Sequence, residues 1–167
     1  MNNKAGLYIH IPFCKSKCPY CDFYNVKYDK ALSEKYADEL IKTMADYSVE
    51  FDTVYFGGGT PSILESELIA KILTSAKNRF DIDKNSEITI ECNPSKNLEK
   101  DFYTYAKCGI NRVSIGMQSA RNEERFALGR SAGQTEVAKA VNDAKKAGIS
   151  NISLDVMLGT PKQTLSS

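Results

Sequence analysis

Four short stretches of the chain alternate apolar and polar side chains with the period of two that a β-strand imposes. Leu7, Ile9 and Ile11 oppose Tyr8 and His10, and Ile88 and Ile90 oppose Thr89 and Glu91. Val113 and Ile115 oppose Ser114, Gly116 and Gln118, while Ile152, Leu154 and Val156 oppose Ser153 and Asp155. A further β-prone run at 53–56 lacks this division into faces, and together the five runs predict strands over 7–12, 53–56, 87–91, 112–118 and 151–157. Helical stretches are predicted between them, near 30–47, 65–80, 98–108 and 135–147. Strands and helices in alternation are the mark of βα units around a parallel sheet.

Two joints repeat almost word for word. Ala106-Lys107-Cys108-Gly109-Ile110 leads into Val113-Ser114-Ile115, and Lys146-Ala147-Gly148-Ile149 leads into Ile152-Ser153-Leu154. Each glycine falls where a helix C-terminus takes a left-handed residue, with lysine in the preceding turn opposing the carbonyl end of the helix dipole. The polar strand faces carry a second message. A parallel strand buried on both sides should be almost wholly apolar, and burying an unpaired carboxylate costs several kcal/mol. The apolar faces are therefore expected to pack under the helices, while Glu91, Gln118 and Asp155 line a cavity at the strands' C-terminal ends, where α/β barrels carry their sites.

Composition narrows the partners. At 167 residues and 42% apolar content one domain with a substantial core is expected. The balance of 22 basic against 21 acidic side chains leaves no broad positive field for nucleic acid or anionic lipid. The apolar run at 7–13 is interrupted by His10 and Pro12, so neither a signal peptide nor a membrane span is expected, and a cytoplasmic location follows.

Five cysteines, an odd number in such a setting, argue for metal binding or reactivity rather than a disulfide framework. Three of them, Cys14, Cys18 and Cys21, form a CxxxCxxC run in the loop after the first strand. Soft thiolates suit an iron–sulfur cluster or zinc. Ferredoxin-type clusters and structural zinc sites both use four ligands, so three cysteines would leave one iron of a cluster open. The alternatives are a zinc site completed by His10, or three reduced structural thiols. After the second strand, Gly57-Gly58-Gly59-Thr60-Pro61 lets a ligand approach the backbone closely. No Gly-Lys-Ser/Thr follows, so it is not a P-loop.

The segment Tyr8-Ile9-His10-Ile11-Pro12-Phe13-Cys14, followed by Cys18 and Cys21, resembles the opening of the oxygen-independent coproporphyrinogen III oxidase-like branch of the radical S-adenosylmethionine (SAM) superfamily. The resemblance implies a [4Fe–4S] cluster on Cys14, Cys18 and Cys21, with the open iron chelated by SAM, whose reductive cleavage gives a 5′-deoxyadenosyl radical. It further implies that GGGTP holds the methionine amino group, and that Tyr8, Gly58, Gly59, Thr60, Glu91, Gln118, Arg130 and Asp155 line the SAM site. The implied fold is a partial parallel (β/α)6 TIM-like barrel, truncated here after about five strands and four helices. Residues 1–167 would be the incomplete N-terminal core, without the sixth βα unit and the C-terminal domain that serves porphyrin or heme binding. An electron-donor protein is implied without being identified. Within the branch, the oxidase pattern carries an additional cysteine two positions after the third. That position is Phe23 here, as in the heme chaperones of the branch. Cys92 and Cys108 match no ligand position and are expected to be buried small side chains.

Overall fold

A computed structural model describes residues 4–44, 49–94 and 98–166. In chain order the elements are β1 (Lys4–Ile11), β2 (Phe13–Cys14), β3 (Val26–Lys27), α1 (Lys30–Thr43), β4 (Glu50–Gly58), a 3-10 turn (Pro61–Ile63), α2 (Ser66–Arg79), β5 (Ile82–Cys92), α3 (Leu98–Cys108), β6 (Arg112–Gln118), α4 (Asn122–Ala127), α5 (Gln134–Lys146) and β7 (Asn151–Val156). Five strands form one sheet in the order β1-β4-β5-β6-β7, every pair parallel. Each strand lies beside the next long strand in sequence, so all C-terminal ends, and the loops that leave them, gather on one rim. This is the parallel sheet that strand–helix alternation predicts, and the partial barrel that the family resemblance implies.

Where a helix is predicted at 30–47, α1 ends at Thr43, and positions 45–47 of that stretch lie outside the described residues. Its start is fixed by Asp29, whose carboxylate accepts the Leu32 N–H at 2.8 Å. The two repeated joints close alike. Gly109 and Gly148 adopt φ of 102° and 91°. The following amides, of Ile110 and Ile149, reach back to the Tyr105 and Ala144 carbonyls at 2.9 and 3.0 Å.

The core lies between the apolar strand faces and the helices. Ile9, Ile11, Val54, Phe56, Ile90, Val113 and Ile115 pack against Ile69, Ile72, Leu73, Phe102, Tyr105, Ala140 and Ala144. Ile90 is fully buried at the centre of the sheet. Ile90→Val should therefore cost about 1 kcal/mol and lower the melting temperature by about 2–4 °C, as read by thermal unfolding.

Three features depart from the expected pattern. The Phe13–Cys14 and Val26–Lys27 pair is too short to show a period, and α4 is a helix of six residues. The apolar face of β7 is not sealed: Leu154 and Val156 remain 40% and 59% exposed. β7 is the outer strand of the sheet, so it has a neighbour on one side only. Among the described residues no helix is long and apolar enough to cross a membrane.

Candidate cluster and cofactor site

The three cysteines sit in a loop that leaves and returns to the same point. Val26 N–H donates to the Pro12 carbonyl and Tyr28 N–H to the Cys14 carbonyl, both at 2.8 Å, which staples the loop's exit to its entry. Within it a turn is closed by the Cys21 N–H on the Cys18 carbonyl at 3.1 Å. Cys14, Cys18 and Cys21 are half-buried and free of disulfides. Among the described residues no three His, Cys, Asp or Glu side chains converge as the ligands of one metal ion. A cuboidal cluster makes no such demand, because each thiolate takes a different iron. His10, the fourth ligand of the zinc alternative, has its Nδ1 3.2 Å from the Tyr8 hydroxyl.

The glycine loop is laced to the segment just before the cysteines. Gly59 N–H donates to the Ile11 carbonyl and Thr60 N–H to the Phe13 carbonyl, both at 2.8 Å, and the Thr60 hydroxyl lies 3.5 Å from the Cys14 sulfur. Glycine is required twice. A Cβ on Gly59 would stand 2.7 Å from the Phe13 carbonyl oxygen. Gly58 holds φ at 114°, with the His10 ring 2.6 Å from where its Cβ would be.

A cavity of about 670 Å³ opens beside this junction, lined by Tyr20, Cys21, Asp22, Phe23, Gly58, Gly59, Thr60, Glu91, Cys92, Asn93, Gly116, Gln118, Arg130, Asp155 and Met157. Seven of the eight residues expected to surround a cofactor are thus brought together. The exception is Tyr8, which lies on β1 outside the lining and is 55% exposed. Of the cysteines, Cys21 reaches the cavity wall, whereas Cys14 touches it through Thr60.

Several polar residues of the wall have an identifiable support. Tyr55 Oη donates to Glu91 Oε1 at 2.9 Å, and Ser114 Oγ to Asp155 Oδ1 at 2.7 Å. Gln118 stands at φ 69°, where the β6–β7 register shifts, and its carbonyl accepts the Met157 N–H at 2.9 Å. Such an irregularity at a strand end re-aims a side chain. Arg130, which sequence alone leaves open to being a surface arginine, turns inward. Its Nε and Nη2 donate to the Tyr20 hydroxyl at 2.9 and 2.7 Å, and Nη1 donates to Asn93 Oδ1 at 2.7 Å. The Arg130 N–H is itself held by the Arg125 carbonyl at 2.8 Å.

Burial dominates the electrostatics. It pushes the Glu91 carboxyl above its ordinary range, and Asp155 adds to the rise; the Tyr55 hydroxyl, the Gly58 N–H and His10 act in the opposite direction. Burial likewise raises the Cys14 thiol, while the Thr60 hydroxyl and the Arg130 charge draw it back. Cys92 is buried, as expected, and also lines the cavity; Cys108 is half-buried.

Sequence reasoning overlooked Tyr20, Asn93, Gly116 and Met157. Gly116 carried a signal, since it shares the polar strand face with Gln118, and a Cβ there would stand 2.9 Å from Gln118 Nε2. Tyr20 carried none beyond its place between two cysteines.

A parallel half-barrel with a three-cysteine loop and a glycine-lined cavity on its C-terminal rim defines a radical SAM protein. The Radical SAM superfamily pattern matches residues 8–167, and the chain belongs to that superfamily. Within it, the chain is similar to the heme chaperone HemW of Buchnera aphidicola subsp. Schizaphis graminum, with 42% identity over 166 residues covering 96% of this chain and 44% of that protein. HemW of Haemophilus influenzae is 37% identical over 172 residues, with the same two coverages. Among solved structures, coproporphyrinogen III oxidase (HemN) from Escherichia coli, a radical SAM enzyme, matches with a TM-score of 0.84 at 24% identity, covering 97% of this chain and 39% of that one. That likeness establishes the fold. The chain spans less than half the length of the curated relatives it matches.

Proposed function

We propose that Cys14, Cys18 and Cys21 hold a [4Fe–4S] cluster, that the adjoining cavity binds SAM, and that residues 1–167 are the N-terminal core of a cytoplasmic, HemW-like protein of heme delivery. The observation that carries this is the cavity itself, where Cys21, a glycine-rich loop, two carboxylates and an arginine face one space. SAM brings an ammonium, a sulfonium, a carboxylate and a ribose diol, and each finds a counterpart. Glu91 and Asp155 offer acceptors to the cationic groups and hydroxyls. Arg130 has five N–H donors and spends three on Tyr20 and Asn93, leaving two for a carboxylate. The backbone of Gly58, Gly59 and Thr60 admits the amino group at close range, with Gln118 completing the wall and Tyr8 beside it, stacked on Tyr55. When bound, the cluster supplies the electron that cleaves the sulfonium. Heme or a porphyrin is the partner of the whole protein, together with an electron donor, and the relatives' remaining length is where the tetrapyrrole domain belongs.

Phe23 in place of a fourth nearby cysteine, together with the HemW likeness, favours heme delivery over the oxidase reaction. Anaerobic reconstitution tests the first part. Brown protein with iron and sulfide, whose reduced-cluster electron paramagnetic resonance signal changes on adding SAM, is expected; colourless protein carrying zinc would favour the zinc-stabilised module instead. For the second part, the full-length parent should bind heme and leave coproporphyrinogen III unconverted. Anaerobic formation of protoporphyrinogen with release of methionine would make it an oxidase.

A further inference from the structure

The strand that showed no polar face in the sequence supplies the support on which the others depend. We propose that Tyr55 is the positioning residue of the cofactor wall, its ring bracing Tyr8 and its hydroxyl fixing the direction in which Glu91 meets the ligand. The inference rests on the reading that the cavity takes SAM.

Tyr55 lies on β4, between β1 and β5, in register with Tyr8 on one side and Thr89 on the other. Its ring stacks on Tyr8, with centroids 6.1 Å apart and planes inclined by 20°. Gly57, two residues on and on the same face, makes room for both rings, since a Cβ there would stand 2.9 Å from Tyr55 Cε1 and from Tyr8 Cε2. From this fixed platform the phenol reaches Glu91 Oε1 at 2.9 Å. The carboxylate also accepts from the Gly58 N–H, so backbone and side chain of one strand together set its orientation.

The groups that face Glu91 come from three strands: Tyr8 and His10 on β1, Tyr55 and the Gly58 N–H on β4, and Asp155 on β7. Burial and Asp155 both favour the protonated acid, whereas the hydrogen bonds and His10 favour the carboxylate. Burial also raises the Tyr55 phenol well above its usual range, with Glu91 adding to the effect, so it remains a donor throughout the working pH range. Without that donor Glu91 titrates higher still. Its ionised, cation-accepting form is then lost at a higher pH as pH falls.

Tyr55→Phe keeps the ring and the Tyr8 stack and removes only the donor. The experiment measures SAM binding to anaerobically reconstituted protein from about pH 4.5, the ordinary carboxylate value, up to about pH 8.5, alongside circular dichroism to confirm an unchanged fold. Roughly tenfold weaker binding near neutral pH is expected, with the fall in affinity toward acid setting in at a higher pH than in the unsubstituted protein. In a Glu91→Gln background the same change should cost less than about twofold, because Tyr55 then has no carboxylate to orient. Wild-type affinity and pH profile in Tyr55→Phe, or an undiminished loss in the Glu91→Gln background, would overturn the inference while leaving the cofactor reading intact. If the unsubstituted, cluster-loaded protein binds no SAM, the cofactor reading fails and the Tyr55 inference fails with it.

Discussion

Cys18→Ala should leave a folded protein that no longer assembles a cluster. The residue sits in the stapled loop, outside the core that holds sheet and helices together, so its loss removes little packing. Two remaining thiolates cannot fix three irons of a cuboid, and the other cysteines are poor substitutes: Cys92 lines the cavity but is held buried within β5, and Cys108 ends α3. Iron and sulfide should fall to background, the visible charge-transfer absorption should vanish, and circular dichroism should be unchanged. A full complement of iron and sulfide in Cys18→Ala would refute the ligand assignment.

Gly59→Ala is expected to have the next largest effect, by a different route. The added methyl would press on the Phe13 carbonyl at 2.7 Å and on the Pro12 carbonyl carbon at 2.9 Å, both backbone atoms with little room to yield. These are also the residues whose carbonyls hold the returning loop and the Thr60 N–H. Relief requires the glycine loop and the cysteine loop to part. A cost of about 3 kcal/mol follows, or a melting temperature lower by about 6–12 °C, together with loss of SAM binding by at least about a hundredfold. A thermal transition within a degree of the parent's, as checked by calorimetry, would show that the two loops are not braced on one another.

What the sequence made legible has a common cause. β1, β5 and β6 announced themselves because a strand covered on one side must alternate, and Glu91 and Asp155 stood out because a carboxylate on such a strand needs a reason. Gly109 and Gly148 were readable because a left-handed helix end admits few residues. The Phe13–Cys14 pairing and α4 escaped notice because two and six residues hold too little pattern. Tyr55 escaped because tyrosine passes as an ordinary strand residue, and only its partner across the sheet reveals the hydroxyl's task. The Tyr20–Arg130 contact escaped for another reason: 110 positions separate its members, and neither carries a local signal of the other. Leu154 and Val156 keep the alternation of a covered strand yet stand exposed on the outer strand of the sheet, a position that the pattern of one strand does not report.

That separation of Tyr20 from Arg130 also sets an order of events during synthesis. The chain leaves the ribosome from its N-terminus, so the three thiols emerge while most of the sheet is still unmade. Each later strand docks on the one before it, and β1 can begin pairing as soon as β4 appears. Arg130, however, arrives only after β6, and Asp155 later still. Until then the nascent cysteines lack that cover, open to any soft metal ion or oxidant that finds them. On the proposal that these thiols take a cluster, its loading belongs to the finished rim, and the thiols' exposure beforehand lasts as long as translation of the remaining strands.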